Sequence, residues 1–141
     1  MTITVSSQAE ALRLAAETQV NTAVISITST DENDVEFPEN PHIQEILRLR
    51  FNDLTEEYDE EGIPYGRPLP EREDLSGLRD FTARLSCDNL IVHCWEGVSR
   101  SGAVAKAIYE FRGKTDEVRT DRELSPNPLV YEFAREELGI R

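Results

Sequence analysis

An α/β domain with a mostly parallel central sheet of four or five strands, flanked by helices, is the fold this sequence predicts. Short apolar or β-branched runs alternate with segments of helical spacing, the order that builds parallel β–α–β units. The length of 141 residues suits one domain, spanning 1–141, with a core that needs no covalent staples. No internal repeat, low-complexity tract or linker composition interrupts that alternation.

Taken in order, Thr2–Val5 alternates weakly and predicts an edge strand. Gln8–Thr18 lines Ala9, Leu12, Ala15 and Ala16 along one side, with Ser7 as cap, and predicts a helix. Thr22–Thr28 is β-branched and mostly apolar, the composition of a buried strand. The acidic segment Asp31–Pro41 contains two prolines and reads as a loop. Glu45–Phe51 sets Ile46, Leu47, Leu49 and Phe51 against Arg48 and Arg50, a strand, and Asn52-Asp53-Leu54 follows it. Residues 56–70 are acidic and rich in glycine and proline; they form an insertion, either a lid over a site or a solvated excursion.

The second half repeats the alternation. Leu75, Leu78, Phe81 and Leu85 fall at helical spacing and predict a helix over Glu71–Leu85. Asn89–His93 is an apolar strand, and Ser101–Phe111 a helix with Ala103, Val104, Ala107, Ile108 and Phe111 as its buried stripe. Ser125-Pro126-Asn127-Pro128 opens a last helix, Asn127 capping it and Pro128 in its first turn. Leu129, Val130, Phe133, Ala134 and Leu138 make its inner face.

Composition narrows the function. Net charge is −13, from 28 acidic and 15 basic residues, and such a surface repels nucleic acid and anionic membrane. Neutral or basic peptides are disfavoured least, although the same charge also serves plain solubility. No apolar run is long enough to span a bilayer, and Met1–Ser6 lacks a basic-then-apolar signal pattern, so a cytoplasmic monomer is expected. Cys87 and Cys94 bracket a strand whose ends lie roughly 23 Å apart, far beyond disulfide reach, so both are expected to stay reduced. Cys87 reads as a small hydrophobe. No metal or cofactor is implied.

The chemistry is concentrated in His93-Cys94-Trp95-Glu96-Gly97-Val98-Ser99-Arg100-Ser101. An apolar strand leads in and an alanine-rich helix leads out. In such a turn the backbone N–H groups of Trp95, Glu96, Gly97, Val98 and Ser99 converge on an anion, and the helix end adds positive potential. Those donors and Arg100 favour the Cys94 thiolate, the nucleophilic form. The planar fork of Arg100 suits two phosphoryl oxygens at once. Gly97 supplies a backbone angle the tight loop needs. Trp95 and Glu96 act through their backbone, with side chains at the rim.

This segment resembles the active-site motif of the protein tyrosine and dual-specificity phosphatases: His-Cys, two residues, Gly, two residues, Arg, then Ser or Thr. Every defined position is met. Ser99-Arg100-Ser101 and the alanine-rich helix are most similar to compact dual-specificity enzymes of bacteria and phages. The resemblance implies that family's fold, a phosphorylated protein or peptide as substrate, and a phosphocysteine intermediate. It implies that Ser101 hydrogen-bonds the sulfur and helps it leave, and that His93 supports the loop without carrying protons. It also implies an aspartic acid on a separate loop, after a strand ahead of the cysteine strand. Asp53 fits that place as proton donor to the leaving oxygen; Asp59 is the reserve candidate, and Asp80 falls within a helix.

The Trp-Pro-Asp loop of the tyrosine-specific branch is absent, as is a phosphotyrosine-recognition loop, which leaves phosphoserine and phosphothreonine open as substrates. Phosphoinositide phosphatases enrich this loop in lysine, and here it has none. RNA 5′-phosphatases share the spacing but meet an acidic surface. The alternative outside enzymes is a phosphoresidue-binding module that keeps the cradle without turnover. All of these readings require that Cys94 not be buried away from solvent and that its loop admit a tetrahedral oxyanion.

Overall fold

A computed structural model describes residues 1–140; Arg141, the end of the predicted domain, lies outside the described residues. The chain runs β1 (Thr2–Ser7), α1 (Gln8–Glu17), β2 (Thr22–Thr28), β3 (Ile43–Arg50), a 3-10 turn (Arg72–Leu75), α2 (Leu78–Ala83), β4 (Asn89–Cys94), α3 (Arg100–Phe111), β5 (Glu117–Thr120) and α4 (Pro128–Leu138). The strands form one five-stranded sheet in the order β3-β2-β4-β1-β5, and every pairing is parallel. The predicted α/β fold is present. Among the described residues no helix is long and apolar enough to cross a membrane.

Side chains alternate across the sheet, and the two faces bury unequal layers. Ala23, Ile25, Ile27, Leu90, Val92 and Cys94 point to the face covered by α2, α3 and α4, where the main core lies. Val24 and Ile91 point to the other face and meet Ala11 of α1. β2 is buried at every position, as its apolar run requires. The alanines of α3 let it approach closely: Ala103, Val104, Ala107 and Ile108 are all fully buried, while Phe111 is only half-buried. Helix ends follow their capping residues. The Ser7 hydroxyl accepts from the Glu10 amide, and Asn127 Oδ1 accepts from the amides of Leu129 and Val130.

Three expectations are corrected. The first strand is not an edge: β1 lies between β4 and β5. The strand that covers it, Glu117-Val118-Arg119-Thr120, is exposed at all four positions and carries no hydrophobic alternation to announce it. The helix expected over Glu71–Leu85 is broken. Gly77 adopts φ 89°, which ends the 3-10 turn and starts α2 afresh, yet Leu75, Leu78 and Phe81 are still fully buried. The third strand is displaced slightly, Ile43–Arg50 where Glu45–Phe51 was expected, although the Phe51 amide still bonds the Thr28 carbonyl at 3.0 Å.

Residues 56–70 hold local structure. Tyr58 and Pro64 pair across a small antiparallel bridge, and the Tyr65 amide reaches the Glu57 carbonyl. Asp59 Oδ1 accepts from the Glu61 and Ile63 amides at 2.9 Å each, closing the turn. The far end is tied down by Asn52 Nδ2 on the Pro68 carbonyl and by an Arg67–Asp31 ion pair.

Candidate active site

Four chain segments meet at the carboxyl end of the sheet, the end where open parallel sheets hold ligands. β4 delivers Cys94 at the sheet's centre, Ser29 directly follows β2, residues 51–53 directly follow β3, and α3 begins at Arg100. Between β4 and α3 the loop 95–99 turns back on the sulfur. Gly97 has φ 79°, and its amide donates to Cys94 Sγ at 3.3 Å. The Ser101 hydroxyl lies 3.1 Å from the same sulfur. Burial pushes the Cys94 thiol up, but the Ser101 hydroxyl and the amides of Ser101, Gly97 and Val98 more than offset it, so the thiol lies below its ordinary range. Against the expectation of a solvent-reachable sulfur, Cys94 is only 3% exposed and lies at the floor of the loop, covered by the turn 95–99 that its hydrogen bonds draw back over it.

His93 shows how alternation serves the site. Cys94 faces α3, so His93 faces the other way, fully buried against the edge of Phe37. Its Nδ1 lies 3.1 Å from the Cys94 carbonyl, which can only accept, so that nitrogen carries the proton. Nε2 is then the acceptor for the Ser26 hydroxyl at 2.7 Å. Burial, reinforced by Arg100 and Arg48, lowers the His93 pKa and keeps the ring neutral. It holds the cysteine's backbone in place.

Arg100 is 5% exposed. One terminal nitrogen donates to Ser29 Oγ at 2.9 Å and to the Phe51 carbonyl at 3.0 Å, which fixes the plane of the guanidinium. Its Nε is buried without a hydrogen-bond partner. A buried guanidinium N–H left open is costly, and an oxyanion is the natural partner for it. A cleft of about 300 Å³ opens here, bounded by Arg100, Trp95, Ser29, Asp31, Glu32 and Arg67. Trp95 is 60% exposed at its rim, and Glu96 is exposed as well.

Asp53 is brought to the loop as well. Its Oδ1 accepts from the Ser99 hydroxyl at 2.7 Å and from Asn127 Nδ2 at 2.9 Å. A second cleft of about 320 Å³ lies beside it, lined in part by Asp53, Glu56, Tyr65, Ser99 and Asn127. Asp59 is spent on closing its own turn and lines neither cleft, and Asp80 lies in α2. Ser26, Ser29 and Asn127 were not singled out as site residues from the sequence. The two serines sit at the end of a strand that reads simply as buried β structure, and Asn127 carries only the signature of a helix cap.

Among the described residues no group of three or more His, Cys, Asp or Glu side chains is arranged to hold a metal ion. Arg100 lines one cleft and Asp53 the other, the Ser99 hydroxyl ties Asp53 to the loop, and the Cys94 sulfur lies beneath that loop and lines neither cleft. No family model matches the chain, and comparison with curated proteins and with solved structures yields no match, so this geometry alone carries the interpretation.

Proposed function

We propose that this protein is a cysteine-dependent phosphatase acting on phosphorylated proteins, phosphotyrosine foremost, through a phosphocysteine intermediate. The observation that carries this reading is the buried Arg100 with an unpartnered Nε, at the far end of the loop that begins at a thiol held below its ordinary range. Cys94 Sγ attacks phosphorus in line, and the S–P bond forms as the ester P–O bond breaks. Asp53 gives its proton to the departing oxygen. A water then attacks phosphorus and yields its proton to Asp53, the S–P bond breaks, and the Ser101 hydroxyl supports the leaving sulfur. Arg100 and the loop amides hold the equatorial oxygens throughout. Inorganic phosphate is the product.

The decisive experiment is steady-state hydrolysis of a chromogenic aryl phosphate with a Cys94 variant as control. Wild-type turnover that survives a chelator and vanishes in the variant supports the reading. Tight binding of phosphotyrosine peptides with no release of phosphate would establish a binding module in its place.

Access to the buried sulfur can be measured apart from turnover. The lowered Cys94 thiol should react with iodoacetate at lower pH than an ordinary cysteine does, and inorganic phosphate should protect it. Because the folded pKa is depressed, the alkylation rate should persist as pH falls and decline only below that of the urea-unfolded chain. A folded protein that resists iodoacetate throughout would remove the nucleophile from the mechanism.

Replacing Asp53 by Asn keeps an oxygen for Ser99 and Asn127 but removes the transferable proton. The rate should fall by about 100-fold and the basic limb of the pH profile should flatten. Wild-type rates in Asp53→Asn would reassign the acid.

A further inference from the structure

Asn127, the cap at the start of α4, joins that helix to the loop carrying Asp53. It is 4% exposed, and all its polar atoms are engaged. Oδ1 caps the helix by accepting from the Leu129 and Val130 amides at 3.0 and 3.1 Å. Nδ2 donates to Asp53 Oδ1 at 2.9 Å and to the Leu54 carbonyl at 3.2 Å. The Asn127 backbone amide bonds the Ser99 carbonyl at 3.1 Å, and the Ser125 amide bonds that of Val98 at 3.3 Å. One short segment thus grips the exit of the cradle and the Asp53 loop together.

The chemistry of the contact has a direction. A carboxyl oxygen that receives two donors takes the carbonyl role, because a hydroxyl oxygen would point its own hydrogen at one of them. With Ser99 Oγ and Asn127 Nδ2 both on Oδ1, the proton of a neutral Asp53 is directed to Oδ2.

We propose that Asn127 is a positioning residue for proton transfer: it holds the Asp53 loop against the cradle and directs the transferable proton to the outer carboxyl oxygen. This rests on the phosphatase reading above.

Asn127→Ser is the informative variant, since serine still caps a helix but lacks the amide donors. Two aryl esters separate positioning from mere scaffolding. Phenyl phosphate, a poor leaving group, needs the proton; 2,4-dinitrophenyl phosphate does not. The variant should lose roughly 30-fold in kcat on the first and less than threefold on the second, a part of the full general-acid contribution. Its basic pH limb on phenyl phosphate should flatten, as in Asp53→Asn. Equal losses on both esters, or no loss on either, would overturn the positioning role. As a measurement independent of turnover, the side-chain amide resonances of Asn127 should move in Asp53→Ala; if they stay in place, the contact itself is absent in solution. A wild type that hydrolyses neither ester would bring down the phosphatase reading, an outcome distinct from any difference between variant and wild type.

Discussion

Cys94→Ser should lower turnover of an aryl phosphate by on the order of 10⁴-fold or more, while phosphate affinity stays within about threefold of wild type. The two halves of this result have separate causes. Turnover needs a thiolate, and a serine hydroxyl titrates far above neutral pH even where the loop amides favour its anion. Affinity comes from elsewhere. Arg100 is held by Ser29 and the Phe51 carbonyl, neither of which touches the sulfur, and its open Nε is unaffected by the change. Oxygen also replaces sulfur without adding bulk, so the Gly97 amide and Ser101 hydroxyl keep an acceptor. Removing an anion from the floor of the site even relieves repulsion against the incoming phosphate. Turnover assays paired with phosphate titration by calorimetry read both halves. Substantial residual turnover would mean another nucleophile; loss of binding would mean that the sulfur, and not the guanidinium, organises the anion.

What was legible in advance follows from how far each feature extends along the chain. The cradle is contiguous, so His93 through Ser101 can be read as a unit, and the helix and strand around it are each signalled by their own periodicity. Asp53 was reachable because it follows a recognisable strand. The partners that fix these groups come from distant segments: Ser26 lies 67 residues from His93, Ser29 lies 71 from Arg100, and Asn127 lies 74 from Asp53. Nothing local to a serine at a strand end announces a remote histidine or arginine. β5 escaped notice for a different reason. An exposed edge strand buries no side chain, so its only reason to be extended is the backbone ladder offered by β1, and that ladder is invisible in Glu117–Thr120 itself. The misreading of β1 as an edge is the same fact seen from its neighbour. The broken helix at Gly77 kept its core residues because Leu75 and Leu78 bury equally well from a 3-10 turn and an α-helix, so hydrophobic spacing could not tell the two apart.

Gly97→Ala should destabilise the protein more than any other single methyl group added to this loop. Two independent costs fall on the same atom. At φ 79° a side chain is disfavoured by ~1–2 kcal/mol. A Cβ there would also lie 2.3 Å from the Ser6 carbonyl carbon, 2.4 Å from the Ser7 nitrogen and 2.6 Å from the Ser6 oxygen. These are backbone atoms and cannot rotate away. They belong to the junction where β1, paired along its length with β4, hands over to the Ser7 cap of α1. The loop is pinned to that junction on its near side too, through the Gln8 amide on the Trp95 carbonyl at 3.2 Å. Relief therefore requires the cradle to lift from the sheet or the first helix to shift. Overpacking of this kind costs ~1–3 kcal/mol, which with the conformational term makes on the order of 2–5 kcal/mol and a fall of roughly 10 °C in Tm. The other consequence is chemical: a displaced Gly97 withdraws the amide that supports the Cys94 sulfur, so the thiol should move back toward its ordinary range. Thermal melting and the pH dependence of iodoacetate alkylation should then shift together in the same variant. A Gly97→Ala protein that melts within about 2 °C of wild type and keeps its alkylation profile would show that the loop does not rest on Ser6 and Ser7, and with that the close-packed cradle would be lost.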